Sequence, residues 1–127
     1  MSYTTHVAIG CNDLKKGEEF YLIFPFSKVT RRYEDRICLD FYSIQLVLHK
    51  FHTNSKNKAH YPYHFGINFS DFSDLENIKK ILNKKNILYN FGVRFKDTNS
   101  EHHFLSIFDP TNNCLEFKNY INSKTGY

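Results

Sequence analysis

The sequence contains no apolar run long enough to cross a bilayer. Its longest, around Phe20–Phe26, is strand-length, against the ~20 residues that a span requires. The opening residues Met1-Ser2-Tyr3-Thr4-Thr5 lack the basic-then-apolar pattern of an export leader, so a cytoplasmic protein with no membrane partner is expected. Cysteine is scarce: Cys11, Cys38 and Cys114 are odd in number and scattered, neither a disulfide framework nor a CxxC zinc pattern. No basic neighbour lowers their pKa, and they read as reduced packing residues. A glycine-rich phosphate loop, a nucleophile elbow and an HExxH helix are all missing, which removes the commonest nucleotide-binding, serine-hydrolase and zinc-protease readings.

What is present points to one folded domain over residues 1–127. Hydrophobic residues make up 41% and aromatics 17%, which excludes a disordered chain. The net charge of +4 raises nucleic-acid binding, but the lysines fall where a solvated helix face (Lys79, Lys80, Lys84, Lys85) or a polar loop (Lys56, Lys58) puts them. Basic and aromatic residues do not alternate along a recognisable nucleic-acid module, and no nucleic-acid partner is expected.

Thr5–Cys11 is β-branched and apolar and reads as a strand. Asn12-Asp13 can cap a helix carrying Leu14, Glu18 and Tyr21 on one stripe and Phe20, Ile23 and Phe24 beside it, ended by Pro25. Strands follow at Lys28–Tyr33, Ile37–Tyr42 and Ile44–Phe51, then a polar linker, Thr53–Lys58. The pattern restarts with a strand at Tyr63–Phe69. Ser73-Asp74-Leu75-Glu76 fits a capping box for a helix with Leu75, Ile78, Ile81 and Leu82 inward and Asn86 as its stop. Leu88–Phe95, His103–Phe108 and Cys114–Tyr120 read as strands, the last two joined by Asp109-Pro110-Thr111-Asn112-Asn113.

Each half therefore reads strand, helix, three strands, with module one at 4–52 and module two at 62–121. A residue-level echo supports a repeat. His6-Val7-Ala8-Ile9 stands against His64-Phe65-Gly66-Ile67, and the same displacement carries Asp13 onto Asp71. Ile44-Gln45-Leu46 stands against Leu115-Glu116-Phe117.

Alternation along a strand puts His6, Ala8 and Gly10 on one face, and likewise His64, Gly66 and Asn68, so small residues leave room beside each imidazole. Gln45, Val47 and His49 share a face in the first half; Cys114, Glu116 and Lys118 share one in the second. If the halves are related by a pseudo-twofold axis, His6 meets His64 and Gln45 meets Glu116. Two imidazoles and one carboxylate would then form a facial triad with open coordination positions. His52, His60, His102 and His103 read as polar surface in or beside loops. His102 and His103 are adjacent, so one of them at most can line a cavity.

Paired modules opening with His6-Val-Ala-Ile and His64-Phe-Gly-Ile, and closing with Phe108-Asp-Pro-Thr-Asn-Asn-Cys-Leu-Glu-Phe-Lys-Asn-Tyr120, resemble the vicinal oxygen chelate superfamily. That superfamily includes glyoxalase I, bleomycin and fosfomycin resistance proteins, methylmalonyl-CoA epimerase and extradiol dioxygenases. Gln45-Leu-Val-Leu-His49 and Gly92-Val-Arg-Phe-Lys96 bring the likeness nearest to its small extradiol-dioxygenase-like proteins. The resemblance covers about residues 4–121 and implies an α+β fold, two βαβββ modules forming a curved mixed sheet around a metal-binding cavity. It places metal ligands at His6, His64 and Glu116, and Gln45 where a fourth carboxylate often stands.

Because Gln45 cannot take a proton, a His-His-Glu set resembles the iron(II) site of aromatic-diol ring cleavage more than a glyoxalase centre. Fe(II) is the expected ion, with Zn, Ni or Mn as alternatives, and His49, Tyr63 and Arg94 are the candidates for proton handling or substrate charge. A glyoxalase-type lyase or isomerase, a resistance-type transferase and a non-catalytic small-ligand-binding protein are the alternatives. A small-molecule substrate and a homodimer are implied, with each site built within one chain or across two.

Overall fold

The computed structural model describes residues 2–51 and 62–122. The chain runs β1 (His6–Cys11), α1 (Leu14–Tyr21), β2 (Ser27–Arg32), β3 (Arg36–Phe41), β4 (Ile44–Lys50), β5 (Phe65–Phe69), α2 (Phe72–Lys84), β6 (Asn90–Arg94), β7 (His102–Phe108) and β8 (Cys114–Tyr120). This is the expected α+β order, βαβββ twice. The linker expected at Thr53–Lys58, with His52 and His60, lies outside the described residues.

The first compact unit holds β1–β4, α1 and the turn Asp109–Asn113; the second holds α2 and β5–β8. Each has a four-stranded mixed sheet, ordered β1-β4-β3-β2 in the first and β5-β8-β7-β6 in the second. In both, the opening strand pairs parallel with the closing one, and the other pairings are antiparallel. A parallel pair needs a crossover, and α1 and α2 supply it.

Alternation along the strands decides which face each helix covers. In the first unit Ile37, Leu39, Phe41, Leu46 and Leu48 are buried together with Tyr21 of α1 and Phe24 just beyond it. Phe20, Tyr21, Phe24 and Phe41 meet edge to face, with ring centroids 5.0 to 5.8 Å apart. In the second unit Leu75, Ile78 and Leu82 of α2 are buried with Leu105, Ile107, Leu115 and Phe117 of β7 and β8. The opposite face of each sheet is left for other work.

Both helices are capped by an aspartate at repeat-related positions. Asp13 accepts from the Lys16 N–H, and Asp71 accepts from the N–H and the hydroxyl of Ser73. Those two bonds hold the Asp71 carboxyl below the usual carboxylate range. The expected capping box at Ser73 is therefore displaced: Ser73 already lies inside the helix, whose cap is Asp71. Asn86, at φ 57, follows the α2 C-cap and ends the helix as expected. Helix α1 stops at Tyr21, with Leu22 as its C-cap, rather than running to Pro25.

The Asp-Pro-x-x-Asn segment has a structural task. Asp109, 6% exposed, accepts four hydrogen bonds: from the Tyr21 hydroxyl (2.7 Å), the Thr111 and Asn113 N–H groups (both 2.9 Å) and the Asn113 side-chain amide (2.9 Å). Asn113 also donates to the Gly10 carbonyl, and the Thr111 hydroxyl accepts from the Asn12 N–H. The turn is thus sewn to the end of β1 and the C-terminus of α1 by a carboxylate with no unsatisfied oxygen. Removing Tyr21's hydroxyl deletes one charge-assisted bond, and Tyr21→Phe should cost about 1–2 kcal/mol in urea unfolding followed by circular dichroism. Asp109→Ala strands several buried donors and should cost about 3 kcal/mol or more in the same assay.

Candidate active site

The sheet face opposite α2 gathers the chemistry of the second unit. Register places Glu116 (β8) between Gly66 (β5) and Ser106 (β7), Lys118 opposite Phe104, and Tyr120 opposite His102, itself opposite Arg94. Glu116 is 4% exposed, and a carboxylate taken out of water needs partners. Arg94 supplies a two-pronged pairing, Nη1 at 3.1 Å from Oε1 and Nη2 at 3.3 Å from Oε2. Lys118 Nζ stands 3.5 Å from Oε1, and His64 Nε2 stands 3.9 Å from the same oxygen.

Each partner is positioned by its own surroundings. The Arg94 guanidinium lies over the Phe104 ring, 3.9 Å from its centre, and a Cβ at Gly92 would come within 3.0 Å of that ring. Gly92 thus keeps the ring uncrowded, and Phe104 supports Arg94. His64 Nδ1 is 2.7 Å from the Pro62 carbonyl oxygen, which can only accept, so Nδ1 carries a proton and Nε2 is the ring nitrogen turned toward Glu116. Gly66 is required by close approach, because a Cβ there would run into the backbone carbonyl of Glu116.

The small residues on the histidine faces are thus filled against rather than left open. At Gly10 the space of a side chain is taken by the ring of Phe51.

His102 was not singled out by the sequence. It opens β7 instead of lying in a loop, and it is 3% exposed. Its Nδ1 donates to the Ser100 carbonyl, and its ring packs against Tyr120 (4.4 Å) and Phe95 (5.9 Å). Nε2 has no hydrogen-bond partner among the described residues. His103 points to the helix side of the sheet, its ring 4.4 Å from Phe72. His64, Arg94, Phe95, His102, Lys118 and Tyr120 line a cavity of about 280 Å³. Burial first, then the Glu116 charge, raises the Cys114 thiol, and burial likewise raises Cys11, so neither is primed as a nucleophile.

Tyr63 is 76% exposed ahead of β5. His6, Gln45 and Asp40 form one row across the first sheet, and His49 stands opposite Gly10 and Arg36 on the same face. Asp40 is a carboxylate beside Gln45 that the sequence reading did not pick out. Asp40, Gln45, Thr4 and Thr30 help line a cavity of about 440 Å³. The repeat alignment also shifts: β1 sets His6 opposite Gln45, whereas Glu116 faces Gly66, two residues beyond His64.

Among the described residues no group of three or more His, Cys, Asp or Glu is arranged to hold a metal ion. The donor chemistry of His64 and Glu116 nevertheless fits a divalent ion. The His64 imidazole is fixed through Nδ1 to a backbone carbonyl, and its Nε2 stands next to a carboxylate. Arg94 and Lys118 compete for that carboxylate. Arg94→Gln should therefore raise the affinity for Mn(II) or Zn(II) about tenfold in isothermal titration, while Glu116→Gln should abolish it. An unchanged affinity in Arg94→Gln would remove Arg94 as a competitor.

The chain matches no protein-family profile and no curated protein sequence. Solved structures do match. A glyoxalase/bleomycin resistance protein/dioxygenase from Alicyclobacillus acidocaldarius is 36% identical, with 98% of this chain and 96% of that one covered and a TM-score of 0.89. The fosfomycin resistance protein FosX from Listeria monocytogenes shares the fold at 10% identity, with 98% of both chains covered and a TM-score of 0.75. Lactoylglutathione lyase from Agrobacterium tumefaciens does so at 18% identity, with 94% of both covered and a TM-score of 0.73. With a relative this similar along nearly its whole length, the chain belongs to the glyoxalase/bleomycin resistance/dioxygenase family, the vicinal oxygen chelate superfamily.

Proposed function

We propose that the protein is a metal-dependent, dioxygenase-like enzyme that acts on a small aromatic diol, with His6, His64 and Glu116 as ligands of Fe(II). The observation that carries this reading is the His64–Glu116 pair. The His64 imidazole nitrogen Nε2 and the Glu116 carboxylate stand 3.9 Å apart beside a cavity walled by Phe95, His102 and Tyr120. Bound there, iron would supply a Lewis-acidic centre with open positions and access to dioxygen chemistry.

The chain's own groups do the rest. The aromatic walls orient a flat ring and exclude water from one of its faces. Arg94 and Lys118 place positive charge where diol oxygens lose their protons, which favours the ionised form. His102 Nε2 bears a lone pair and is a candidate to take one of those protons. His49 and Tyr63, with Arg94, are proposed for proton handling or substrate charge. The reading includes a cytoplasmic homodimer, with each site built within one chain or across two.

Glutamine at position 45 keeps a glyoxalase-type lyase or isomerase second, because that chemistry asks for a carboxylate base. The test is anaerobic reconstitution with Fe(II), then air and a panel of catechols, read as the yellow ring-cleavage product. Turnover of at least one catechol is expected, with a loss of about 100-fold or more in His64→Ala and Glu116→Gln. Iron-loaded protein that cleaves none of the panel would overturn the proposal.

A further inference from the structure

We infer that the cavity of the second unit binds a small aromatic anion, a planar ring bearing a carboxylate or a comparable single negative charge, with Lys118 as its charge partner. This inference rests on the proposed function only in taking that cavity as the substrate pocket. Its basis is a charge imbalance. One acid, Glu116, is paired with two full cations, Arg94 and Lys118. The Arg94 pairing engages both carboxylate oxygens, so by itself it neutralises Glu116.

Lys118 is then surplus. It reaches Oε1, an oxygen already taken by Arg94, at the longer distance of 3.5 Å, and its side chain is 24% exposed. An ammonium has three donors, and one weak pairing leaves the others available on the cavity side. Among the described residues no Asp or Glu is part of the cavity lining, which comprises His64, Arg94, Phe95, His102, Lys118 and Tyr120. An anion entering the cavity therefore meets no carboxylate in that lining to repel it.

The walls specify the rest of the molecule. Phe95, His102 and Tyr120 present ring surfaces, and a volume of about 280 Å³ lies at the small end for binding sites, suited to one ring rather than a long chain. Together with the proposed reaction, this makes the substrate a ring diol that also carries an acid group, in preference to an uncharged catechol.

Isothermal titration of the purified protein in chelator-containing buffer, with benzoate, its neutral analogue benzamide and the ringless anion acetate as probes, tests the inference. Benzoate should bind at least about tenfold more tightly than either control, and more weakly as salt is raised. Lys118→Met should cut benzoate affinity about tenfold, and Lys84→Met, at the end of α2, should leave it unchanged. Equal binding of benzoate and benzamide, no benzoate binding at millimolar concentration, or no effect of Lys118→Met would overturn the inference. Because these titrations involve no iron and no turnover, their failure is separable from a failure of ring cleavage. Uncharged catechol cleaved by a protein that ignores benzoate would sink the inference alone, and benzoate binding without any cleavage would sink the reaction alone.

Discussion

A carboxylate removed from water must be compensated, and the second unit is organised around compensating Glu116. Its 4% exposure leaves little solvent to stabilise the charge, so Arg94, Lys118 and His64 are gathered round it from three different segments. The neighbours follow from that need. Gly66 lets β5 approach the Glu116 backbone, Gly92 makes room for Phe104, and Phe104 supports Arg94. Cutting one partner from a fully buried pair costs roughly 3–5 kcal/mol; here the figure is smaller, since the Arg94 side chain is 35% exposed. The result is a polar cluster in which one carboxylate faces two cations and an imidazole.

Two acids in the closing segment, Asp109 and Glu116, show how a single motif divides its labour. Asp109 is saturated by donors from its own turn and from Tyr21, with nothing left for a ligand. Glu116 instead faces an imidazole, a guanidinium and an ammonium whose remaining donors are not used up on it. The first acid anchors a turn to β1 and α1; the second is the one proposed for the chemistry. The Asp-Pro-x-x-Asn segment thus serves the fold, and the proposed site rests on the Glu seven residues after its Asp.

Much of this was legible in the residues. Alternation of apolar positions gave all eight strands, and Asp13 and Asp71 in register with the two histidines pointed to the repeat that both helix caps confirm. The Asp71 cap was missed because Ser73-x-x-Glu76 is an equally good local signal, and the choice is made by which carboxylate reaches the Ser73 N–H. His102 was missed because its worth depends on ring packing against Phe95 and Tyr120, which no local pattern records. Arg94 was named as a candidate, but its pairing with Glu116 depends on the register β6-β7-β8, a property of three strands together. The alignment of Gln45 with Glu116 was two residues out, since the parallel pair fixes its own register.

The central claim is that the Glu116 carboxylate, beside the His64 imidazole, is where a divalent ion is held. Elemental analysis of the protein purified without chelators or a polyhistidine tag tests it most directly, alongside a Glu116→Gln variant whose fold is checked by circular dichroism. The account predicts close to one equivalent of iron per chain in the parent and almost none in the variant. Equal metal content in the two proteins, or none in either, would contradict it.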